Sequence, residues 1–193
     1  MIISLSNSLL NEKSEPVIRR ANASDYTRIS ELHNFWALQN LSGNLQNGFL
    51  LLETSPEKIK SLSTGDNILL VACVGDAVVG YVLAVQKPEM LDQLNWIENL
   101  NDIICNQKHY HVSEMAVASD CIGHGVGKAL YSELFKLTKS VHLSAYVATQ
   151  PYNNQASIKF HERLGFRKIA TFSANEFCGL NHYSSNLYFF NNT

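Results

Sequence analysis

Three glycines, Gly123, Gly125 and Gly127, separate a short apolar run from an amphipathic segment in MAVASDCIGHGVGKALYSELF, residues 115–135. A strand that leads through such a loop into a helix points the free N–H groups of the first helical turn outward. These groups and the positive end of the helix dipole favour a phosphate, and glycine lets the anion approach because it has no Cβ. The pattern predicts a diphosphate-binding loop. The alternative is a glycine-rich turn without a ligand.

A dinucleotide-binding crossover has similar glycines but needs further features. Its glycines follow the first strand of the unit, and an acidic residue about 20 positions later binds a ribose hydroxyl. Here the corresponding segment HLSAYVATQ, residues 142–150, contains no acidic residue, and the glycine spacing lacks the final two-residue gap. The sequence therefore disfavours a dinucleotide site.

The strand-like segment HYHVSEMAVA, residues 109–118, carries titratable side chains just before the glycines. Regular alternation, unless a bulge shifts the register, predicts one face with His109, His111, Ser113 and Met115 and another with Tyr110, Val112 and Glu114. An unperturbed imidazole titrates near pH ~6.5, so a histidine here suits proton transfer at neutral pH.

Patterns elsewhere predict the elements that must position these residues. A strand at 16–21 precedes a helix at 23–38, and Gly75-Asp76 marks the turn of a hairpin between two β-rich runs. Further helices are predicted at 55–63, 128–140 and 154–165, with strands at 141–148, 166–172 and 184–190, and residues 88–108 have apolar side chains at helical spacing. Hairpins combined with strand–helix–strand crossovers predict an α/β fold, a mixed sheet with helices on both faces.

Composition limits the classes of function. The chain has 193 residues, 46% hydrophobic and 17% charged, with a net charge of −2, which predicts one globular domain. No basic block is long enough to follow a nucleic acid, and no apolar run is long enough to span a membrane. The start lacks a signal-peptide pattern. Because Cys73, Cys105, Cys121 and Cys178 form no C-x-x-C pair, a reduced, cytoplasmic protein is expected.

Two segments carry a family resemblance. MAVASDCIGHGVGKALYSEL resembles the acetyl-CoA-binding segment of the GNAT superfamily of N-acetyltransferases, an apolar strand end followed by Q/R-x-x-G-x-G/A and a helix. NNQASIKFHERLGFRKI, residues 153–169, resembles the downstream helix of that family, which ends in Leu-Gly-Phe. The likeness extends over Pro16 to Phe190, and the motif around Phe160-His161 with a Trp-containing insertion resembles a branch of predicted acetyltransferases. It implies a GNAT-like acyl-CoA N-acyltransferase fold with a strongly twisted mixed sheet, a single domain at 16–193 and a tail or extra strand at 1–15.

The resemblance also implies how acetyl-CoA is bound. Backbone amides at a strand bulge hold the pantetheine and polarise the thioester, and the loop amides hold the pyrophosphate. The implied cofactor-binding residues are Met115, Ala116, Val117, Ile122, Gly123, His124, Gly125, Val126, Gly127, Lys128, Asn154 and Phe160. Ile122 departs from the usual Arg or Gln, which predicts weakened CoA affinity. Lys128 either compensates for the lost polar side chain or is a solvated helix lysine. Asn154 either contacts the CoA arm or orders the loop, or caps the helix.

Catalytic roles follow from the same resemblance. Several family members carry a Glu or His four residues before the position of Met115, which makes His111 the preferred general base, with Glu114 as the alternative. Many members use a tyrosine as general acid where this chain has His161, so an imidazolium acid or a cofactor contact is expected there. Cys121 lies in the phosphate loop, away from the expected thioester position, which favours direct transfer over an acyl-enzyme.

The implied function is an N-acetyltransferase that moves an acetyl group from acetyl-CoA directly to a primary amine, of a small molecule or a peptide, without a metal. A non-catalytic acyl-CoA-binding module and a structural domain that pairs two copies are the alternatives, and a homodimer is possible. Residues 37–55, 88–108 and 176–183 are expected to wall the acceptor site. Their aromatic side chains predict an amine with an apolar or aromatic part, or else belong to the core.

Overall fold

The computed structural model describes residues 15–86, 93–98, 100 and 108–192. Its strands are β1 (Val17–Arg20), β2 (Ile68–Val74), β3 (Ala77–Gln86), β4 (Leu94–Trp96), β5 (His109–Val117), β6 (His142–Gln150), β7 (Arg167–Phe177) and β8 (Leu180–Phe190). Its helices are α1 (Tyr26–Phe35), α2 (Pro56–Leu62), α3 (Val126–Leu137) and α4 (Gln155–Arg163). The predicted tail lies outside the described residues except for Glu15.

The strands form one mixed sheet in the order β1-β2-β3-β5-β6-β8-β7-β4. Among the described strands, β5 and β6 are the parallel pair, and they are joined through α3. Their ladder is short, because only His109–His111 pairs with His142–Ser144. Beyond His111 the two strands diverge, so that the second half of β5 has no partner strand on that side. This divergence opens the sheet at its centre.

The helices cover both faces, as the sequence predicts. Tyr81 of β3 points to α1, where its hydroxyl lies 2.7 Å from His33 Nδ1. The neighbouring Gly80 points to the opposite face, where a Cβ would come within 3.0 Å of Val126 in α3. Since adjacent strand residues alternate between faces, α1 and α3 pack on opposite sides of the sheet. The mixed α/β architecture is confirmed.

Local sequence accounts for the elements that frame the centre of the sheet. Every residue of β2 is buried, which explains its continuous apolar run. Gly75, with a φ of 57°, makes the predicted hairpin turn between β2 and β3. Asn22 caps the helical turn before α1, and the Asp25 carboxylate accepts hydrogen bonds from Arg19 at 2.7 and 2.8 Å.

The segment with helical spacing differs from its prediction. Leu94–Trp96 forms β4, which pairs antiparallel with β7 at the edge of the sheet. The apolar side chains at 94 and 96 pack on a small core that includes Ile169 and Leu187. The free edge of the sheet therefore made this stretch a strand, although the spacing predicted a helix. Most of the predicted 88–108 segment lies outside the described residues. Of the helices in the described ranges, none combines the length and apolar character needed to cross a membrane.

Candidate active site

A cleft of about 540 Å³ lies where β5 and β6 diverge. Its floor is the unpaired half of β5, Val112 to Val117, facing Ala145 and Tyr146 of β6. The glycine loop, the start of α3 and one side of α4 form one end of the cleft. Residues Asn47–Leu50 with Trp36 form a further wall of the cleft. The two sequence motifs, separated along the chain, therefore meet in one cavity of the size that holds a small molecule.

The unpaired edge of β5 supplies backbone groups to the cleft. The Ala118 N–H donates to the Val79 carbonyl of β3 at 2.8 Å. Because hydrogen-bonding direction alternates along a strand, the Ala116 N–H also points to β3, whereas the N–H groups of Met115 and Val117 point into the cleft. Of the three amides predicted to contact the cofactor, those of Met115 and Val117 therefore point into the cleft. The prediction for the Ala116 amide is wrong, because the ladder uses every second residue.

The glycine loop presents its amides at the end of the cleft. Gly123 and Gly125 have φ values of 82° and 83°, the left-handed region that residues with a Cβ avoid. The first helical hydrogen bond runs from the Ala129 N–H to the Gly125 carbonyl at 2.9 Å. The N–H groups of Val126, Gly127 and Lys128 thus precede the first intrahelical bond, and among the described residues no protein acceptor is recorded for them. The predicted arrangement of free amides at the start of a helix is therefore present.

Gly127 has a different role from the other two glycines. A Cβ on it would lie 3.3 Å from the ring of Phe160 and 3.7 Å from Met115 Cε. Glycine at this position therefore lets α3 approach α4 and β5 closely. Phe160 and Met115 both line the cleft, as predicted for cofactor contacts.

The side chains of the loop contribute less than its backbone. Ile122 lines the cleft with 37% of its surface exposed, where the family pattern has a polar residue. The His124 ring does not line the cleft, and its Nδ1 lies 3.1 Å from the Ile122 carbonyl. Three basic side chains line the same end of the cleft: Lys128, Lys159 and Arg163. Lys159 and Arg163 are four residues apart on α4, so they lie on one helix face.

A bulge in β5 changes which of the predicted site residues share a face of the sheet. Ser113 is the extra residue, because Leu83 pairs with Glu114 and Ala84 pairs with Val112. Past the bulge the alternation is inverted, so His111 and Glu114 lie on the same face of the sheet and Met115 on the other. The prediction that His111 shares a face with Met115 is wrong. The possibility that a bulge shifts the register is confirmed.

Glu114 lines the cleft and its side chain is 19% exposed. Its Oε2 lies 3.3 Å from the hydroxyl of Tyr81 and 3.3 Å from Nδ1 of His33. The Tyr81 phenol is fully buried, and burial followed by the Glu114 charge raises its pKa well above the usual range. Of the described residues that line the cleft, Glu114 is the one with an acidic side chain.

His111 is buried beside the cleft and does not line it. Its Nδ1 lies 2.8 Å from Ser144 Oγ, and its ring contacts the ring of Tyr146. Burial, followed by repulsion from His109 and His161, lowers the pKa of His111 from 6.5 to about 3. Such an imidazole is neutral and holds a proton weakly. Its placement argues against the predicted role as general base.

His161 lines the cleft but is held on both ring nitrogens. Nδ1 lies 2.8 Å from the Ser157 carbonyl, which can only accept, so Nδ1 carries the proton. The hydroxyl of Tyr131 then donates to Nε2 at 2.7 Å. Burial lowers the pKa of His161 to about 4. A neutral ring whose proton already donates to the Ser157 carbonyl does not act as an imidazolium acid, which is one of the two roles expected from the sequence.

Asn154 serves as a helix cap and as a tether. Its Oδ1 accepts from the Ser157 N–H at 3.2 Å, which caps α4. Its Nδ2 donates to the Phe49 carbonyl at 3.0 Å, across the cleft wall. A Cβ on Gly48 would come within 3.0 Å of the Asn154 amide oxygen. The capping and loop-ordering predictions for Asn154 both hold in the structure.

Cys121 lies behind the glycine loop with 4% of its surface exposed. Burial, followed by the charge of Asp120, raises the pKa of its thiol to about 11. At neutral pH this cysteine is therefore a thiol rather than a nucleophilic thiolate. Within the described ranges, no cluster of His, Cys, Asp and Glu side chains has the arrangement of a metal site.

Three residues of this region carried no functional signal in the sequence. Tyr131 is a buried helix residue that lines the cleft and bonds His161. His33 and Tyr81 are buried residues of α1 and β3 that contact Glu114. Their spacing marks all three as core positions, so only the packing of separate elements shows their contacts with the site.

Comparisons with known proteins agree with this geometry. The chain resembles the structure of NAA60 from Arabidopsis thaliana in complex with a bisubstrate analogue, with a TM-score of 0.67 and 17% identity over 91% of this chain and 97% of the other. It also resembles smu.2055 from Streptococcus mutans, with a TM-score of 0.67 and 20% identity over 92% and 99% of the two chains. A third similar structure is the GNAT superfamily phosphinothricin acetyltransferase from Sinorhizobium meliloti in complex with acetyl-CoA, with a TM-score of 0.63 and 18% identity over 92% and 88%.

At these identities the structural likeness establishes the fold. Among curated proteins, no sequence matches this chain significantly. The model of the acetyltransferase (GNAT) family matches residues 29–166, which include the residues lining the cleft, the glycine loop and the second motif as far as Phe166. This protein is a member of the GNAT acetyltransferase family.

Proposed function

We propose that this protein transfers an acetyl group from acetyl-CoA directly to a primary amine. The observation that carries the proposal is the position of Glu114, a carboxylate beside the unpaired edge of β5 and in the same cleft as the free amides of α3. Solved structures of similar fold are complexes with acetyl-CoA or with a bisubstrate analogue. The family and the cleft together support acyl transfer with this donor.

The proposed cofactor position uses backbone and charge. The amides from Gly125 to Lys128 take the pyrophosphate, and Lys128, Lys159 and Arg163 add positive charge at that end. The pantetheine follows the open edge of β5, where the N–H groups of Met115 and Val117 are directed. One of these amides polarises the thioester carbonyl and stabilises the oxyanion that forms during attack.

Glu114 is the proposed general base. A carboxylate accepts a proton from the acceptor ammonium, directly or through water, and leaves a neutral amine to attack the thioester. Glu114 is partly exposed in the cleft, whereas His111 is buried behind it. The catalytic assignment therefore moves from His111 to Glu114.

The leaving thiolate takes its proton from the attacking nitrogen. Tyr131 donates its own proton to His161, and burial raises the pKa of this phenol, so it is a poor acid. After attack, the nitrogen of the tetrahedral intermediate still carries two protons. One passes to the departing sulfur, and the other remains on the amide product. The C–N bond forms and the C–S bond breaks without an acyl-enzyme.

The side chains on the proposed acceptor side of the cleft favour an acceptor amine that carries no anionic group. Trp36, Phe49 and Tyr146 line this side, and the Trp36 Nε1 donates to the Val117 carbonyl at 2.8 Å. Segments 37–55 and 173–184 contain no Lys or Arg, and each contains one glutamate. With no cation from these segments to pair a carboxylate or phosphate, an apolar or aromatic amine is favoured over an amino acid.

An amine screen tests the function. Purified protein is incubated with acetyl-CoA and a panel of amines, and free CoA is followed with a thiol reagent. We expect release with at least one apolar primary amine and a loss of about 10²-fold or more in the Glu114→Gln variant, which should still bind acetyl-CoA. Acetyl-CoA binding without release by any amine would instead support a non-catalytic acyl-CoA-binding module. A stable acetyl adduct on Cys121 would contradict direct transfer. A cytoplasmic location and a homodimer stay predictions.

A further inference from the structure

Two buried residues form a closed hydrogen-bonded group with Glu114. His33 of α1 and Tyr81 of β3 are 4% and 0% exposed. Tyr81 Oη lies 2.7 Å from His33 Nδ1 and 3.3 Å from Glu114 Oε2, and the latter two atoms are 3.3 Å apart. His33 Nε2 lies 2.8 Å from the Leu52 carbonyl. Glu114 is the member of this group that reaches the cleft.

The hydrogen-bonding pattern shows that this group can bind one additional proton. The Leu52 carbonyl can only accept, so Nε2 of His33 carries a proton and Nδ1 of the neutral ring is bare. The Tyr81 phenol has one proton, and burial raises its pKa, so it keeps that proton. With Glu114 ionised, one proton serves two acceptors, His33 Nδ1 and Glu114 Oε2. With a second proton on His33, Nδ1–H donates to the Tyr81 oxygen while the Tyr81 hydroxyl donates to Glu114 Oε2.

We propose that His33 and Tyr81 form, with Glu114, a proton-sharing unit that receives the proton given up by the acceptor ammonium. This inference rests on the proposed function, and it makes His33 and Tyr81 positioning residues that act through Glu114. The substrate N–H bond breaks and the proton binds Glu114. The Tyr81 hydroxyl then takes that proton and gives its own to His33 Nδ1. The result is an ionised Glu114 beside an imidazolium, and tyrosine is unchanged.

Two carboxylates lie near His33 and can pair with the imidazolium that forms on transfer. Glu114 lies against Nδ1, and Glu53 is close enough to interact with the His33 charge. Tyr81 is the other titratable group in contact with the His33 ring. When the cleft is empty, the Glu114 carboxylate, which reaches the cleft, returns the proton to solvent, so that the unit has its initial protonation state at the start of the next cycle.

A kinetic test uses His33→Gln and Tyr81→Phe. Gln can still donate to the Leu52 carbonyl but offers no basic nitrogen to Glu114. We expect kcat to fall about tenfold at neutral pH in His33→Gln with the acceptor KM nearly unchanged. The acid limb of kcat/KM should move to lower pH, because a lone carboxylate binds the proton less tightly than the coupled unit. Tyr81→Phe should change both quantities in the same direction.

Tyr110→Phe is the matched control. It removes a buried tyrosine hydroxyl that donates to the Asp66 carbonyl at 3.0 Å and has no contact with Glu114. Its pH profile should overlay that of the unchanged protein. If the His33→Gln and Tyr81→Phe profiles also overlay it, the proton-sharing unit is refuted while the acetyltransferase function stands.

A second measurement does not require activity. The ring nitrogens of His33 are followed by ¹⁵N NMR against pH, with His33→Gln to assign the signals. We expect a proton on Nε2 in the neutral form, and protonation of Nδ1 at lower pH in Glu114→Gln than in the unchanged protein. Identical titration in the two proteins would overturn the sharing of a proton. Absence of CoA release with every amine would overturn the proposed function instead.

Discussion

The side-chain amide of Asn154 donates a hydrogen bond to the carbonyl oxygen of Phe49 at 3.0 Å. The bond joins the start of α4 to the Asn47–Leu50 wall of the cleft, 105 residues earlier in the chain. Since the same side chain also caps α4, one residue fixes two walls relative to each other.

Removal of this tether should affect the acceptor more than the cofactor. In Asn154→Ala we expect a rise in acceptor KM of at least about fivefold, because the Phe49 wall loses its anchor, and a loss of about 1–2 kcal/mol in unfolding free energy. Steady-state kinetics and urea unfolding measure the two effects. Asn153→Ala, which removes an exposed amide next to it, should leave both unchanged. Equal KM values in the two variants would contradict the tether.

The backbone geometry of the glycine loop should control CoA affinity. Gly125→Ala puts a Cβ on a residue with a φ of 83°, which costs about 1–2 kcal/mol and moves the amides that precede α3. We expect acetyl-CoA to bind at least about tenfold more weakly by calorimetry. Gly65→Ala has a similar φ of 66° in open space, distant from the cleft lining. It should lose similar stability with unchanged affinity; a matching affinity loss would rule out a specific effect of the loop.

If the lysines of the proposed cofactor site attract acetyl-CoA, its affinity should depend on the salt concentration. Lys128→Ala and Lys159→Ala should each weaken acetyl-CoA binding several-fold at low salt, and the difference should shrink as ionic strength rises. Lys136→Ala is the control on α3, because Lys136 pairs with Glu133 at 3.0 Å and does not line the cleft. Unchanged affinity in Lys128→Ala would remove that lysine from the site.

A substitution of Glu114 should mainly lower activity, and a substitution of His111 should mainly lower stability. We expect Glu114→Gln to abolish most of kcat with little change in folding, because its side chain is partly exposed. His111→Gln should retain most activity and lose about 1–3 kcal/mol of stability, because it disturbs the buried contact with Ser144. Amine-dependent CoA release and urea unfolding give the comparison. The reverse order of effects on kcat would restore His111 as the base.

The buried histidines should make stability fall on mild acidification. The pKa of His161 is about 4 in the folded state against an ordinary value of 6.5, so between these values the unfolded chain binds a proton that the folded chain does not. Stability is therefore complete above pH 6.5 and declines as pH falls, by up to about 1.4 kcal/mol per pH unit for each such ring.

Urea unfolding between pH 7.5 and 4.5 measures this slope. His161→Gln should give a shallower decline than the unchanged protein, because one proton-linked ring is gone. His111, with a pKa lowered to about 3, contributes in the same direction and remains in that variant. A slope equal to that of the unchanged protein would show that His161 is not held neutral.

The elements of the fold could be read from local patterns. Gly75 and Asp76 predicted the hairpin because the turn itself requires unusual dihedral angles. The apolar spacing within 88–108 predicted a helix, but Leu94–Trp96 forms a strand, because the free edge of β7 offers backbone partners that no local pattern reveals. The glycine loop was predictable for the same reason as the hairpin, because its function depends on backbone geometry that only glycine adopts readily.

The choice between His111 and Glu114 was not local. Alternation along β5 is a property of the sequence, but the bulge at Ser113 depends on how β3 pairs with it, and this extra residue places His111 and Glu114 on one face. Glu114 opens to the cleft because it lies beyond the β5–β6 ladder, in which His111 still pairs with Ser144. His33 and Tyr81 reach Glu114 from α1 and β3, so their roles arise from packing between distant segments. The sequence by itself determined the family, the fold class and the glycine loop that leads into α3, since those reside in consecutive residues. Only the tertiary structure decided which side chains face the cleft and which protons are shared, because register and burial are set by partners far away in the chain.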